Sequence, residues 1–224
     1  MKKFITSIFI LTLPFGVFAQ ENNTWHSALG SVSFATDSTW TVSGNGITQI
    51  WSDAVQTDYC SGKTEFRGFE WYNEYRSRYF RVDCRSNPYY KGDLFSWLAV
   101  SELKDELCPA PWRVPTRQDF VDLYNIILVG TINEWYLIFP YKKRNIWNSV
   151  GAGFSFPAGK LNQFGSAHYW SQSEIHTHIG FYFALENKYG ESEDLLLMSN
   201  GESEDLLLMS NKAFGLSLRC VRNP

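Results

Sequence analysis

The sequence predicts an α+β fold that is rich in strands. Three observations carry this expectation. Short segments of alternating apolar and polar residues recur near both ends of the chain. Two stretches of helical period lie between them, interrupted by prolines. Aromatic residues make up 17% of the chain, a content that suits the pleated surface of strands.

The first residues read as an export signal. Lys2 and Lys3 precede a mostly apolar run from Phe4 to Phe18, and Ala19 supplies a small residue before the polar Gln20. The alternative is a membrane anchor, but the run is short for a bilayer and carries Pro14 and Gly16. Residues 1–19 are therefore expected to be a cleaved signal peptide and 20–224 a single domain. No later run is long enough for a spanning helix, so no membrane span is expected after cleavage. The full-length net charge is −3, and loss of Lys2 and Lys3 makes the rest more acidic. Nucleic acid is thereby disfavoured as a partner, because its recognition rests on a basic surface.

Ser31–Phe34 and Thr39–Val42 alternate like strands, and Gly44-Asn45-Gly46 signals a turn. Arg76–Val82 is a further strand candidate, followed by a loop at Arg85–Pro88. A helix is expected over Phe95–Leu107, with Leu94, Trp97, Leu98, Leu103 and Leu107 near one stripe and Pro109 and Pro111 ending it. Thr116 is a good N-cap, and Asp119 three residues on resembles a capping box with Asp in place of Glu. The second helix should run from about Arg117 to Ile127, with Phe120, Leu123, Tyr124 and Ile127 inward. Gly130–Phe164 has no clear period and reads as a long loop with short strands, too aromatic to be disordered. Tyr169–Ser171, Gly180–Glu186 and Phe214–Arg222 alternate like strands of one antiparallel sheet.

Residues 190–200 read GESEDLLLMSN, and 201–211 repeat them without a change. One identical tandem copy is not a solenoid; it looks like a recent duplication or a sequencing error. Each copy holds one short apolar run. A second copy added to a meander would reverse the last strand, so only one copy is expected in the main sheet. The other is expected to be expelled as a loop or as a hairpin turning at Asn200-Gly201.

Cys60, Cys84, Cys108 and Cys220 are an even set, which in an exported chain reads as two disulfides. A metal site is the competing reading. No C-x-x-C occurs and the four histidines fall in no ligand-like pairing with the cysteines, so neither zinc nor another cofactor is expected. His176 and His178 are read as two solvated side chains near a turn.

The run Cys108-Pro-Ala-Pro-Trp112-Arg113-Val-Pro115-Thr116, followed by Asp119-Phe120 and Leu123, resembles the Fibrobacter succinogenes major paralogous domain (FISUMP) family. Gly92-Asp-Leu-Phe-Ser-Trp97 before it fits the same family. So do Tyr169-Trp170-Ser-Gln-Ser-Glu174 and Phe214-Gly-Leu-Ser-Leu-Arg219-Cys220-Val-Arg222 after it. Trp51-Ser-Asp53 and Asp83-Cys84-Arg-Ser-Asn-Pro88 look like members from Bacteroidota of the gut. The family often has Cys where this chain has Leu98. The resemblance implies a C-type-lectin-like fold, similar also to formylglycine-generating enzymes: two helices packed on a twisted antiparallel sheet with long loops and neighbouring termini. It implies no particular activity. Within such a fold, Cys60–Cys84 would close a hairpin-like excursion, and Cys108–Cys220 would join the segment before the second helix to the last strand. Trp112 and Trp170 would be largely buried. Arg113 would pair with Asp119 or Glu174 or donate to loop carbonyls, and Pro115 would hold the chain extended before the cap.

These readings favour a secreted or surface-exposed binding or adhesion module for a glycan or surface protein, located in the periplasm, on the cell surface or outside. A sugar site would pair exposed rings with amides, and Trp135, Tyr136, Trp147 and Asn148 are the candidates. The Glu-Pro-Asn, Gln-Pro-Asp and Trp-Asn-Asp triplets of calcium-dependent lectins are missing. An extracellular enzyme on a formylglycine-generating-enzyme-like fold is the alternative, disfavoured because disulfides account for all four cysteines. No Gly-x-Ser-x-Gly elbow occurs, and Glu174 beside His176 and His178 is the one acid–base cluster in the sequence. A structural subunit of a surface assembly is a third reading, and no polymerisation motif marks it.

Overall fold

The computed structural model describes residues 24–26, 30–34, 39–66, 69–72, 77–88, 92–127, 154–156, 161–162, 167–185 and 207–224. They form a mixed α+β architecture of antiparallel sheets with few helices. Strands β1 (Thr24–His26), β2 (Gly30–Phe34), β3 (Trp40–Gly44) and β4 (Ile47–Ala54) form an antiparallel meander. Asn45 and Gly46 join β3 to β4 with φ of 51° and 77°. Positive φ at both central positions is what a type I′ hairpin demands, and Asn-Gly meets it with little strain.

The chain then makes two small ladders. These are β5 (Phe69–Tyr72) with β6 (Ser77–Phe80), and β7 (Cys84–Arg85) with β8 (Leu94–Phe95). The first helical stretch starts later than its sequence period suggests and is broken. Phe95 belongs to β8, and its backbone also exchanges hydrogen bonds with Leu216. Ser96 is the N-cap of α1 (Trp97–Glu102), its hydroxyl accepting from the Ala99 N–H at 3.2 Å. Leu103 then separates α1 from α2 (Lys104–Leu107). Helix α3 spans Arg117–Ile127, as its cap signal predicts. Its buried face is Phe120, Leu123 and Ile126, whereas Tyr124 is half-buried. After α3 come β9 (Phe154–Ser155) and β10 (Leu161–Asn162), paired with each other.

Strands β11 (Ala167–His176), β12 (Ile179–Leu185) and β13 (Leu207–Asn211) form an antiparallel sheet in that order. The last strand, β14 (Arg219–Arg222), is not the next member of that sheet. It pairs antiparallel with β4 and so completes the five-stranded sheet β1-β2-β3-β4-β14. The segment before it meets β11 through a parallel bridge, Tyr169 to Ser217. The expectation that Phe214–Arg222 continues the β11–β12 meander is therefore corrected, and with it the expectation that a second copy of the repeat would reverse the last strand. The chain changes sheets between Lys212 and Leu218, so the direction of β14 does not depend on how many strands precede it. The second copy of the repeat supplies β13; the first lies outside the described residues.

Helix α3 is clasped between the two larger sheets. Phe120 stacks on Phe183 of β12 at 5.0 Å and 5° and tilts against Trp51 of β4 at 5.2 Å. All three rings are buried. Gln49 of β4 is also buried: its amide donates to the Asp119 carbonyl at 3.0 Å and accepts from Trp51 Nε1 at 3.1 Å. A buried amide is tolerated only when so satisfied. Two disulfides fasten the frame, Cys60–Cys84 and Cys108–Cys220, with Cα–Cα distances of 5.7 Å and 5.6 Å. Among the described residues, no helix is long and apolar enough to cross a membrane.

Candidate functional site

The four motif segments singled out in the sequence meet in space. The run Cys108–Thr116 is joined to the last strand by its disulfide and by paired backbone hydrogen bonds between Arg113 and Val221, both 2.9 Å. The Arg222 guanidinium lies 5.0 Å from the Trp112 ring centre. The same run reaches the β11 motif, where the Gln172 N–H donates to the Pro115 carbonyl at 2.8 Å. The Ser173 hydroxyl accepts from the Arg117 N–H at 3.0 Å. Two tryptophans bind β11 to the segment around Phe95: Trp170 Nε1 donates to the Phe95 carbonyl at 2.8 Å, and Trp97 Nε1 to the Ser171 carbonyl at 2.9 Å. Phe95 pairs with Leu216, which brings in the fourth segment.

Arg113, Thr116 and Asp119 form one charged cap. Arg113 donates to both Asp119 carboxylate oxygens at 2.6 Å and 2.7 Å, and this fork excludes Glu174 as its partner. Both the N–H and the hydroxyl of Thr116 donate to Asp119 Oδ2 at 2.7 Å, and the Asp119 N–H returns a bond to the Thr116 hydroxyl at 3.2 Å. This is the reciprocal geometry of a capping box. Burial alone would raise the Asp119 carboxyl, but the bonds from Arg113 and Thr116 outweigh it and hold the group below the usual carboxylate range. A depressed folded-state pKa stabilises the fold above the unfolded value of about 3.9 and loses that contribution as pH falls through the folded value. Asp119→Asn should thus cost about 1–2 kcal/mol at pH 7. In urea titrations repeated down to pH 2, the gap to wild type should narrow. A gap that stays constant with pH would show that the charge is not what matters.

Trp170 is fully buried, and Trp112 is only half-buried beside Arg222. Arg219 is also fully buried: its Nε donates to the Ser52 carbonyl at 2.6 Å and its guanidinium lies 4.8 Å from the Trp40 ring. Burial lowers its pKa to about 10, with Tyr169 and Asp53 opposing the fall. His168 is pushed down to about 4 by burial, so it is neutral at physiological pH. His176 and His178 are exposed, 6.2 Å apart, and His178 lies in the β11–β12 turn rather than on a strand face. Among the described residues, no group of three or more His, Cys, Asp or Glu is placed to hold a metal.

One polar cluster went unseen in the sequence. Lys212 follows β13, and its side chain is only 4% exposed. Its ammonium pairs with Glu174, which is 50% exposed, and lies 3.9 Å from the centre of the Trp97 ring. The ring packs over Gly180, where any Cβ would come within 2.6 Å of Trp97 Cδ1. The sequence held no hint of this, because Glu174 and Lys212 are 38 positions apart and meet only through the β12 and β13 pairings.

No family model, curated protein or solved structure matches this chain. Trp135, Tyr136, Trp147 and Asn148, the sugar-site candidates, lie outside the described residues. They belong to the connection between α3 and β9, and both ends of that connection are anchored. Ile126 of α3 is buried, and Ser155 of β9 exchanges backbone hydrogen bonds with Gly215, both 2.8 Å.

Proposed function

We propose that this chain is an exported, non-catalytic binding or adhesion module of the FISUMP family on a C-type-lectin-like fold. Its ligand is a glycan or a surface protein, and the ligand-contacting residues lie on the connection between α3 and β9. The observation that carries the reading is the anchoring of that aromatic-rich connection. It leaves a packed helix and re-enters at a strand bonded to Gly215 in the segment before β14. Recognition residues are typically presented in this way, on connections held by a rigid scaffold. The convergence of the four motif segments supports the family, and the two disulfides support export. The charges of the described frame support a scaffold role: Arg113 and Asp119 cap a helix, while Lys212 and Glu174 pair across a tryptophan.

The experiment is a glycan array and a panel of purified surface proteins, probed with residues 20–224 with and without EDTA. Binding that EDTA leaves intact is expected. Trp135→Ala and Trp147→Ala should abolish it without changing Tm. No binding on either panel, or binding that both variants retain, would count against this surface.

A further inference from the structure

Two copies of GESEDLLLMSN stand in the chain, and one place in the β11–β12–β13 sheet is filled by such a copy. Strand β13 is Leu207–Asn211, paired with β12 from Phe183↔Leu207 to Ile179↔Asn211. Leu196–Asn200 has the same five residues in the same order. A backbone ladder and its side-chain pattern cannot tell identical segments apart, so the choice lies in the residues that flank them, and those on the C-terminal side have described contacts. After Asn211 comes Lys212; after Asn200 comes Gly201.

We propose that Lys212 selects the second copy as β13. The residue at this place is held by its backbone, its N–H donating to the His178 carbonyl at 3.1 Å and its carbonyl accepting from the Trp97 N–H at 3.0 Å. A glycine would keep both bonds. Only the lysine side chain adds the ion pair to Glu174 and the contact with the Trp97 face. With the first copy seated, Gly201 would take this place, leaving Glu174 without its ammonium and the ring uncovered. The following residue reinforces the choice. Ala213 is buried and its N–H donates to the Asn211 side chain at 3.0 Å. Glu202 would fall there instead, and an unpaired carboxylate is costly in a buried position. Were Ala213 instead to keep its place, the chain would have to leave after residue 201 and return there, closing an extra loop.

Deleting 190–200 or 201–211 yields the same polypeptide, in which the remaining copy is followed by lysine. That single-copy protein should keep the strand.

Hydrogen exchange read by mass spectrometry tests the proposal, because peptides running into 186–189 or 212–214 distinguish the copies. Wild type should show protection concentrated on 207–211, and the single-copy deletion should retain it. Lys212→Gly should lower protection at 207–211 by about tenfold or more. The exchange variant Gly201→Lys with Lys212→Gly has the same composition and charge as wild type. It should shift protection from 207–211 to 196–200. If that variant keeps protection only at 207–211, or loses it from both copies, Lys212 is not the selector. Loss of the strand in the single-copy deletion would overturn the proposal equally, because it would mean that one copy followed by lysine does not suffice.

Discussion

Trp170→Ala is expected to cost about 3–5 kcal/mol of stability. The ring is 0% exposed and packs edge-on against Tyr182 at 6.0 Å and 78°. Truncation would empty a space at the junction of β11, β8 and the segment before β14. It would also remove one of the two donors to the Phe95 carbonyl, leaving that buried acceptor with the Leu216 N–H alone. Trp112→Ala should cost far less, about 1–2 kcal/mol. That ring is only half-buried in the native fold, and what it loses is contact with the core edge and with Arg222. The sequence alone treats the two tryptophans alike, since both stand beside turn or helix starts in matching motifs. Urea unfolding of both variants decides the matter. Equal costs would mean that Trp112 is as much a core residue as Trp170.

The parts of the fold that were legible in the sequence are those set by neighbours along the chain. Helix α3 was legible because Thr116 and Asp119 close its capping box within a single turn, and the Asn45–Gly46 hairpin because those residues meet its backbone demand locally. The first helix was legible only in outline. Its apolar stripe extends through Phe95, but distant Leu216 claims that residue for a strand pair, and the cap falls to Ser96. Strand β4 was hidden because Gln49, Ser52 and Asp53 interrupt its apolar pattern. Gln49 is buried on account of a carbonyl on α3, 70 positions away. The placement of β14 failed for a similar reason. Alternation shows that a segment is a strand and which side chains share a face, but not which sheet receives it. Lys212 is the sharpest case: an ordinary lysine beside a repeat in the sequence becomes a nearly buried cation on a tryptophan face once β13 is paired.

Removing the Cys108–Cys220 disulfide should destabilise the protein more than removing Cys60–Cys84. The two bonds close loops of very different size, with sequence separations of 112 and 24. If a cross-link acts by restricting the unfolded chain, the longer loop contributes about 4.8 kcal/mol and the shorter about 3.4 kcal/mol, a difference of about 1.4 kcal/mol. The comparison is fair because all four cysteines are buried, so both Cys→Ala pairs leave small defects of similar kind in the folded state. Native contacts near the longer bond do not alter the expectation. The Arg113–Val221 hydrogen bonds hold those segments together only while the protein is folded, whereas the entropy of loop closure belongs to the unfolded chain. Cys108→Ala/Cys220→Ala should therefore unfold at lower urea than Cys60→Ala/Cys84→Ala. Its m value should also be larger than that of wild type, since an unfolded chain freed of the long loop exposes more surface. If the order of midpoints reverses, loop length does not govern the difference between the two bonds. Contacts around the Thr57–Lys63 turn, where the Cys60 N–H donates to Thr57 Oγ1 at 3.2 Å, would then depend on the shorter bond for more than its closure entropy.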